Sequence, residues 1–270
     1  MSDTAAAVTV PRFVKRKQDG LPLVMLTAYD LASTLAAEAA GVDALLVGDS
    51  LGNVILGHES TLPVTLDDMV HHGRAVGRAR RRALLILDMP WMSYHVNPEE
   101  ALRNAARLVR ETGADAVKLE GGARRVPAIR AILDAEIPVM GHLGLTPQSV
   151  LRMGGYRVQG RGETAARRLL EDAAALVDAG VFSIVLEGVP AELARRITEE
   201  VPVPTIGIGA GPHCDGQVLV YHDLLGLLPH PAPKFVRRYA EQHRDQVDAI
   251  RRWAEDVRGG GFPSEDESYR

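Results

Sequence analysis

The chain has 270 residues, of which 46% are apolar, and a formal net charge of −4 from 31 basic and 35 acidic side chains. This length suits one large domain or two small ones, and the lack of a basic excess argues against a nucleic-acid-binding protein. Because no apolar run approaches the roughly 18 residues of a membrane-spanning helix, we expect no membrane partner.

Short apolar segments alternate with amphipathic segments along most of the chain, after a polar stretch over residues 1–20 that we expect to cover the bottom or edge of a domain. Asp30 and Thr65 are suited to cap the first two helices. We predict strands at Leu23–Thr27, Ala44–Val47, Leu84–Leu87, Ala116–Leu119, Val139–His142, Ser183–Leu186, Thr205–Ile208 and Val218–Tyr221. We predict helices at Leu31–Ala40, Leu66–Arg80, from Pro98 onward, and at Val126–Ala135, Glu163–Ala179, Pro190–Glu200 and Phe235–Val257.

Eight strands that alternate with helices predict an α/β fold, a (β/α)8 barrel, as a single domain over residues 1–258 with an N-terminal extension. A doubly wound sheet would need a glycine-rich phosphate-binding turn after the first strand, where this chain has Tyr29-Asp30-Leu31. Residues 259–270 begin with three glycines and are expected to form a disordered tail. The long loop over residues 144–162 is a candidate lid.

Polar side chains stand at the carboxyl ends of five predicted strands. They are Asp49 with Ser50, Asp88, Lys118 with Glu120, His142, and Glu187. A lone buried carboxylate is costly, and all strands of a barrel open at their carboxyl ends on the face that holds the active site. We therefore expect one shared site, although each residue alone could be a cap, a turn residue, a core histidine or part of an ion pair.

The side-chain chemistry of this set favours a metal-assisted reaction. Asp49, Asp88 and Glu120 offer oxygen ligands, which suit Mg²⁺. Lys118 lies two residues before Glu120, so both point into the barrel, where the lysine could hold a substrate carboxylate or neutralise the acids. Mg²⁺ chelated by an α-keto acid would stabilise an enolate, and Glu187 would be free to remove the adjacent proton. The residues alone thus predict a metal-assisted enolate enzyme.

Six stretches carry a specific resemblance to a known family. They are Thr27-Ala28-Tyr29-Asp30, Leu46-Val47-Gly48-Asp49-Ser50-Leu51-Gly52, Asp88-Met89-Pro90, Lys118-Leu119-Glu120-Gly121-Gly122, Gly141-His142-Leu143-Gly144-Leu145-Thr146-Pro147-Gln148 and Ile206-Gly207-Ile208-Gly209-Ala210-Gly211. Over residues 10–255 the sequence resembles the ketopantoate hydroxymethyltransferase family of pantothenate and coenzyme A biosynthesis. The resemblance implies a barrel of the phosphoenolpyruvate/pyruvate type that assembles as a homodecamer. It also implies hydroxymethyl transfer from 5,10-methylenetetrahydrofolate to 3-methyl-2-oxobutanoate, giving 2-dehydropantoate.

The same resemblance implies roles for individual residues. Asp49 and Asp88 would hold Mg²⁺, with Glu120 close by or bridging through water, and Glu187 matches the general base of the family. Substrate contacts are implied for Asp49, Ser50, Asp88, Lys118 and His142.

Two rival interpretations remain at this point. A Mg²⁺-dependent carbon–carbon lyase on the same barrel type would use a similar enolate, but we expect it to carry a catalytic cysteine in a mobile loop, and Cys214 is not in that place. A non-catalytic barrel that serves as a binding or assembly module should have lost some of the strand-end acids, and all of them are present here.

Two features bear on cellular location. Residues 1–4 contain an acid, and no basic residue occurs before Arg12, which is unlike a secretory signal. Cys214 is the only cysteine, so no disulfide can form within the chain. Both features predict a cytoplasmic protein.

Overall fold

The computed structural model describes residues 6–269, and its central feature is a closed barrel of eight parallel strands. The strands are β1 (Leu23–Thr27), β2 (Ala44–Val47), β3 (Leu84–Asp88), β4 (Ala116–Glu120), β5 (Val139–Gly144), β6 (Ser183–Glu187), β7 (Thr205–Ile208) and β8 (Gly216–Leu219). They neighbour one another in chain order, and β8 pairs with β1 to close the barrel. The predicted barrel is confirmed. The first five residues of the predicted N-terminal extension and the last residue of the predicted tail lie outside the described residues.

Helices separate most of the strands along the chain. They are α1 (Val10–Gln18), α2 (Leu31–Ala40), α3 (Leu51–Val54), α4 (Leu66–Ala79), α5 (Pro98–Thr112), α6 (Val126–Asp134), α7 (Val150–Met153), α8 (Glu163–Ala179), α9 (Ala191–Glu200), α10 (Tyr221–Leu225) and α11 (Gln242–Gly259). The predicted starts of α2 and α4 are confirmed, because Asp30 and Thr65 each accept a hydrogen bond from a backbone N–H of the first helical turn.

The barrel interior is packed with apolar side chains, and helix α1 contributes to it. Phe13 of α1 is fully buried in the same cluster as Met25 of β1 and Ile86 of β3. Its ring meets that of Phe182 edge to face, with the ring centroids 5.9 Å apart. Helix α1 was not predicted, since most of its residues are polar and only Phe13, Val10 and Val14 pack against the core.

Several strands and helices differ from their predicted bounds, and β8 and α11 differ most. Strand β8 begins at Gly216 instead of Val218, because the backbone of β1 comes so close that a Cβ at Gly216 would lie 2.5 Å from the carbonyl oxygen of Leu23. Helix α11 begins at Gln242 instead of Phe235 and ends at Gly259. The candidate lid over residues 144–162 contains the short helix α7.

The chain divides into two compact units, Met1–Val220 and Tyr221–Arg270. The first unit contains all eight strands, and the second contains α10 and α11. The domain bounds suggested by the sequence, 1–258 for the barrel domain and 259–270 for a tail, stay predictions. Across the part of the chain that the structure describes, no helix is both long enough and apolar enough to cross a membrane.

The close approach of α4 and α5 provides a test of the packing. A Cβ added at Gly77 of α4 would lie 1.9 Å from the backbone carbonyl oxygen of Thr112, which cannot move aside as a flexible side chain could. We expect Gly77→Ala to lower the free energy of unfolding by about 1–3 kcal/mol, the usual range for an overpacked core. Urea denaturation followed by circular dichroism measures the change.

The control is Gly259→Ala, where a Cβ would meet no atom within 4 Å. This substitution should leave stability unchanged or raise it by less than about 1 kcal/mol, because alanine has the higher helix propensity. Equal stability of Gly77→Ala and the wild type would contradict the close helix contact.

Candidate active site

The carboxyl ends of β2 to β6 bring six of the seven predicted site residues into one connected group. Parallel pairing places Asp88 beside Lys118, and Glu120 beside His142. Glu187 follows on the next strand, opposite Gly144. All are buried except Glu187, of whose side chain 18% is exposed. Ser50, the seventh residue, is half-buried directly after Asp49.

Asp49, Asp88 and Lys118 form the first part of the group. The backbone N–H of Asp49 donates to Asp88 Oδ2 at 3.1 Å, and Lys118 Nζ lies 2.6 Å from Asp88 Oδ1. The chain can turn this tightly after β2 because residue 48 is glycine. A Cβ at Gly48 would lie 2.9 Å from Ser50 Oγ and 3.4 Å from Asp88 Oδ2.

His142 lies between Lys118 and two glutamates. Lys118 Nζ lies 3.2 Å from His142 Nδ1, and an ammonium can only donate, so Nδ1 accepts. Burial and the neighbouring charge of Lys118 hold the pKa of His142 well below its usual value, so the ring is neutral near pH 7. Its proton is therefore on Nε2, which lies 3.3 Å from Glu187 Oε2. On the other side, Nδ1 is 3.5 Å from Glu120 Oε1.

The group contains four carboxyl side chains and one lysine, and burial raises the pKa values of Asp49, Glu120 and Glu187. Burial and the charge of Asp88 raise the pKa of Asp49 to about 7. Burial raises the pKa of Glu187 to about 7, and burial together with Asp49 raises that of Glu120 well above its usual value. Burial lowers the pKa of Lys118, but the neighbouring carboxylates more than offset this effect, so the lysine stays charged.

These properties fit a bound divalent cation of the Mg²⁺ type. Asp49 and Asp88 present neighbouring carboxylates at adjacent strand ends, and the uncompensated negative charge around them would be relieved by a cation. Residues 6–269 contain no group of three or more His, Cys, Asp or Glu side chains that could hold a metal ion as they stand. A site on these two aspartates would thus be completed by water or substrate oxygens, as is common for Mg²⁺.

Sequence reasoning missed Gln148 and Tyr94, which hold the carboxylates in place. The side-chain amide of Gln148 donates to Asp49 Oδ2 at 2.8 Å and to the carbonyl oxygen of Met89 at 3.0 Å. Its backbone N–H donates to Glu120 Oε2 at 3.0 Å. The hydroxyl of Tyr94 donates to Gln148 Oε1 at 2.6 Å. The available signal for Gln148 was its place in the stretch Thr146-Pro147-Gln148, shortly after the end of β5.

Tyr29 is a further residue that the sequence analysis did not assign. It is buried after β1, and its hydroxyl lies 2.8 Å from Ser50 Oγ, so the tyrosine fixes the rotamer of the serine. Burial raises the pKa of this hydroxyl, which therefore stays protonated at neutral pH.

A cavity of about 1080 Å³ adjoins this group of residues. Glu120 and Gln148 line the cavity, and so do residues of α7 and the first turn of α8. Its volume slightly exceeds the range for small-molecule sites, about 300–1000 Å³.

Comparisons with known proteins give consistent results. A family model described as ketopantoate hydroxymethyltransferase matches residues 7–265. The chain is 57% identical to the 3-methyl-2-oxobutanoate hydroxymethyltransferase of Moorella thermoacetica, over 97% of this chain and 98% of the relative. It is 56% identical to the enzyme of the same name from Pelobacter propionicus, with 100% of both chains covered.

Solved structures share the fold at low sequence identity. One is 2,3-dimethylmalate lyase, described as a PEP mutase/isocitrate lyase superfamily member, with a TM-score of 0.63 and 18% identity over 98% of this chain and 89% of the other. Another is phosphonopyruvate hydrolase, solved with oxalate and Mg²⁺. It has a TM-score of 0.62 and 14% identity over 96% of this chain and 93% of the other. These similarities confirm the barrel fold.

The raised pKa of Glu187 predicts how stability depends on pH in metal-free protein. Because the folded pKa is about 7 and the ordinary value is 4.5, the folded chain binds the proton more tightly than the unfolded chain. The free energy of unfolding should therefore fall as pH rises from about 4.5 to 7. Glu187→Gln removes this titration. The free energy of unfolding of the variant, relative to that of the wild type, should therefore increase by about 1–3 kcal/mol when the pH is raised from 5 to 8.

Chemical denaturation in a chelator, repeated across this pH range, measures the difference. Glu255→Gln, at an exposed glutamate of α11, is the matched control and should follow the wild-type profile. Parallel profiles for Glu187→Gln and the wild type would show that Glu187 ionises normally in the folded protein.

Proposed function

Because the chain belongs to the ketopantoate hydroxymethyltransferase family, we propose that it transfers a hydroxymethyl group from 5,10-methylenetetrahydrofolate to 3-methyl-2-oxobutanoate. The products are 2-dehydropantoate and tetrahydrofolate, and one water supplies the hydroxyl group. The observation that carries this proposal is the meeting of one buried lysine with four carboxyl groups at the strand ends. That arrangement suits the binding of an anionic keto acid next to a cation and a base.

The proposed metal is Mg²⁺, which Asp49 and Asp88 would hold, with Glu120 close by or bridging through water. The neighbouring aspartates and their excess negative charge support this assignment. When bound, Mg²⁺ would polarise the keto group of the substrate and stabilise the charge that develops on its oxygen. Gln148 keeps the carboxylate of Asp49 oriented by its 2.8 Å hydrogen bond.

Lys118 is proposed to bind the substrate carboxylate. Its ammonium has three protons, and Asp88 Oδ1 and His142 Nδ1 account for two of them. The third proton is available to a ligand, and the buried position makes a charge-assisted bond there strong. Ser50, whose hydroxyl is positioned by Tyr29, is proposed as a second polar contact to the substrate.

Glu187 is proposed as the base that takes the proton from C3 of the keto acid. A carboxyl pKa of about 7 suits proton transfer at neutral pH. The partial exposure of its side chain leaves an oxygen accessible to substrate. His142 is the poorer candidate, because Nδ1 faces the Lys118 ammonium and Nε2 already carries a proton. We assign His142 to the positioning of Glu187 and Lys118.

Electron pairs and protons balance in this scheme. Glu187 accepts the C3 proton, and the C–H electron pair becomes the C2–C3 double bond of the enolate. Water adds to the methylene carbon of the donor and its two C–N bonds break, which releases tetrahydrofolate and a one-carbon unit at the oxidation level of formaldehyde. C3 then attacks this carbon, and the C=O electron pair of the one-carbon unit takes up the proton held by Glu187 to become the hydroxyl of the product. The proposed assembly is a homodecamer in the cytoplasm, serving pantothenate and coenzyme A biosynthesis, as the family resemblance implies.

The lyase alternative has less support. Cys214 lies between β7 and β8, and burial raises the pKa of its thiol, so it is not activated as a nucleophile or acid. The structural similarity to 2,3-dimethylmalate lyase concerns the fold alone.

Metal dependence tests the aspartate assignment. We expect chelation to abolish product formation and Mg²⁺ to restore it. Asp49→Ala and Asp88→Ala should each lower Mg²⁺ affinity at least tenfold in isothermal titration and lose activity while circular dichroism shows a folded barrel. Asp134→Ala, at an exposed acid at the end of α6, is the control and should bind Mg²⁺ like the wild type. Undiminished Mg²⁺-dependent activity in both site variants would exclude the assignment.

Proton exchange without the folate tests the base. Glu187→Gln keeps the shape of the side chain and removes its basicity, so we expect deuterium uptake at C3 of 3-methyl-2-oxobutanoate in D₂O to fall by about 10²–10⁴-fold. NMR follows the uptake in the presence of Mg²⁺, and binding of the keto acid should change little. In the wild type the uptake rate should rise as pH increases through about 7, because only the ionised carboxylate is a base. A wild-type exchange rate in the variant would make His142 the next candidate.

A further inference from the structure

The cavity beside the catalytic group has a strongly basic wall that the proposed chemistry of the keto acid does not use. Five arginines line it against three carboxyl residues, in a protein whose net charge is −4. The arginines are Arg124, Arg125, Arg152, Arg161 and Arg168. The carboxyl residues are Glu120, Glu163 and Asp172. Glu120 belongs to the catalytic group, and Asp172 accepts a hydrogen bond from the backbone N–H of Ala123.

None of these five arginines has an acidic partner among residues 6–269, since no carboxylate oxygen lies within 4.0 Å of their guanidinium nitrogens. Arg125 lies over the ring of Tyr94, with Cζ 5.3 Å from the ring centroid. Other surface arginines, such as Arg74 and Arg195, do pair with glutamates. Unpaired guanidinium groups that converge on one cavity are suited to a carboxylate or phosphate ligand.

Helix α8 adds to the positive potential of this wall. Its first turn lines the cavity, and its N-cap, Gly162, has no side chain to accept the free backbone N–H groups. The N-terminus of a 17-residue helix favours an anion. Elsewhere on the wall, Trp91 and His95 present flat rings, and burial together with the charge of Arg125 lowers the pKa of His95 to about 4, so that ring is uncharged.

The size of the cavity argues for a ligand larger than the keto acid. A volume of about 1080 Å³ far exceeds what a small branched keto acid fills. Glu120 and Gln148 line the same cavity, so a ligand inside it reaches the catalytic group. The occupant therefore combines a reactive end at the carboxylates, a flat ring system and an anionic end.

We propose that the wall formed by Arg124, Arg152, Arg161 and Arg168 binds the glutamate carboxylates of the one-carbon donor. This inference rests on the proposed function, which requires a reduced folate as second substrate. The glutamate of a folate carries two carboxylates at the end remote from the reactive pterin, which matches a basic wall next to the catalytic group. The keto acid is recognised separately, by Lys118.

The test compares two donors in three enzyme variants. The donors are 5,10-methylenetetrahydrofolate and the analogue in which a neutral amide replaces the glutamate. The variants are the double substitution Arg152→Ala/Arg161→Ala, the single substitution Arg168→Ala, and the control Arg167→Ala. Arg167 is the chain neighbour of Arg168 on α8, but it pairs with Glu171 and does not line the cavity.

We expect the two cavity variants to lose at least about tenfold in kcat/KM for the natural donor, mostly through KM, because charge-assisted hydrogen bonds to the carboxylates are lost. With the neutral donor, the two cavity variants should lose less than about twofold in kcat/KM. Arg167→Ala should match the wild type with both donors. The KM for the keto acid and the C3 exchange rate should change much less than the KM for the donor.

Three results would overturn the inference. Equal losses with both donors, or a parallel loss of C3 exchange, would mean that the arginines only maintain the local structure. Unchanged donor kinetics in both cavity variants would mean that the carboxylates bind elsewhere. A wild-type enzyme that exchanges the C3 proton but transfers no carbon from either donor would overturn the proposed function as well, and this result is distinct from the first two.

Discussion

The buried ammonium of Lys118 is the charge on which the arrangement at the strand ends depends. It lies 2.6 Å from Asp88 and also lowers the pKa values of Asp49, Glu120 and Glu187, each of which burial raises. Without this cation, burial of four carboxyl groups in one place would leave most of them protonated and unable to act as ligands or base. The lysine in turn stays charged only because the carboxylates surround it.

The same lysine also determines the state of His142. A donor at Nδ1 forces the ring proton onto Nε2, on the side that faces Glu187. The histidine therefore lies as a neutral ring between Lys118 and Glu187. Neighbouring carboxyl groups thus have different surroundings, because Asp88 contacts the lysine directly while Glu187 faces a neutral ring.

The barrel explains how two substrates of different size can meet at this point. The strand ends form a compact, buried group that suits a small anion, and the cavity beside it extends under α7 and the start of α8. Gln148 belongs to both regions, since it holds Asp49 and Glu120 and also lines the cavity. The loop after β5 thus connects the part of the site that would activate the keto acid with the part that would hold the donor.

The sequence by itself determined the barrel and the strand-end residues, whereas the tertiary structure decided how these residues are connected. Strands such as Ala44–Val47 and capping residues such as Asp30 depend on patterns within a few residues, so they could be predicted locally. The bond from Gln148 to Asp49 spans 99 positions, and the start of β8 at Gly216 depends on how closely β1 approaches. The tautomer of His142 and the arginine-lined cavity likewise follow from distances that exist only once the strands have paired and the loops have taken their paths.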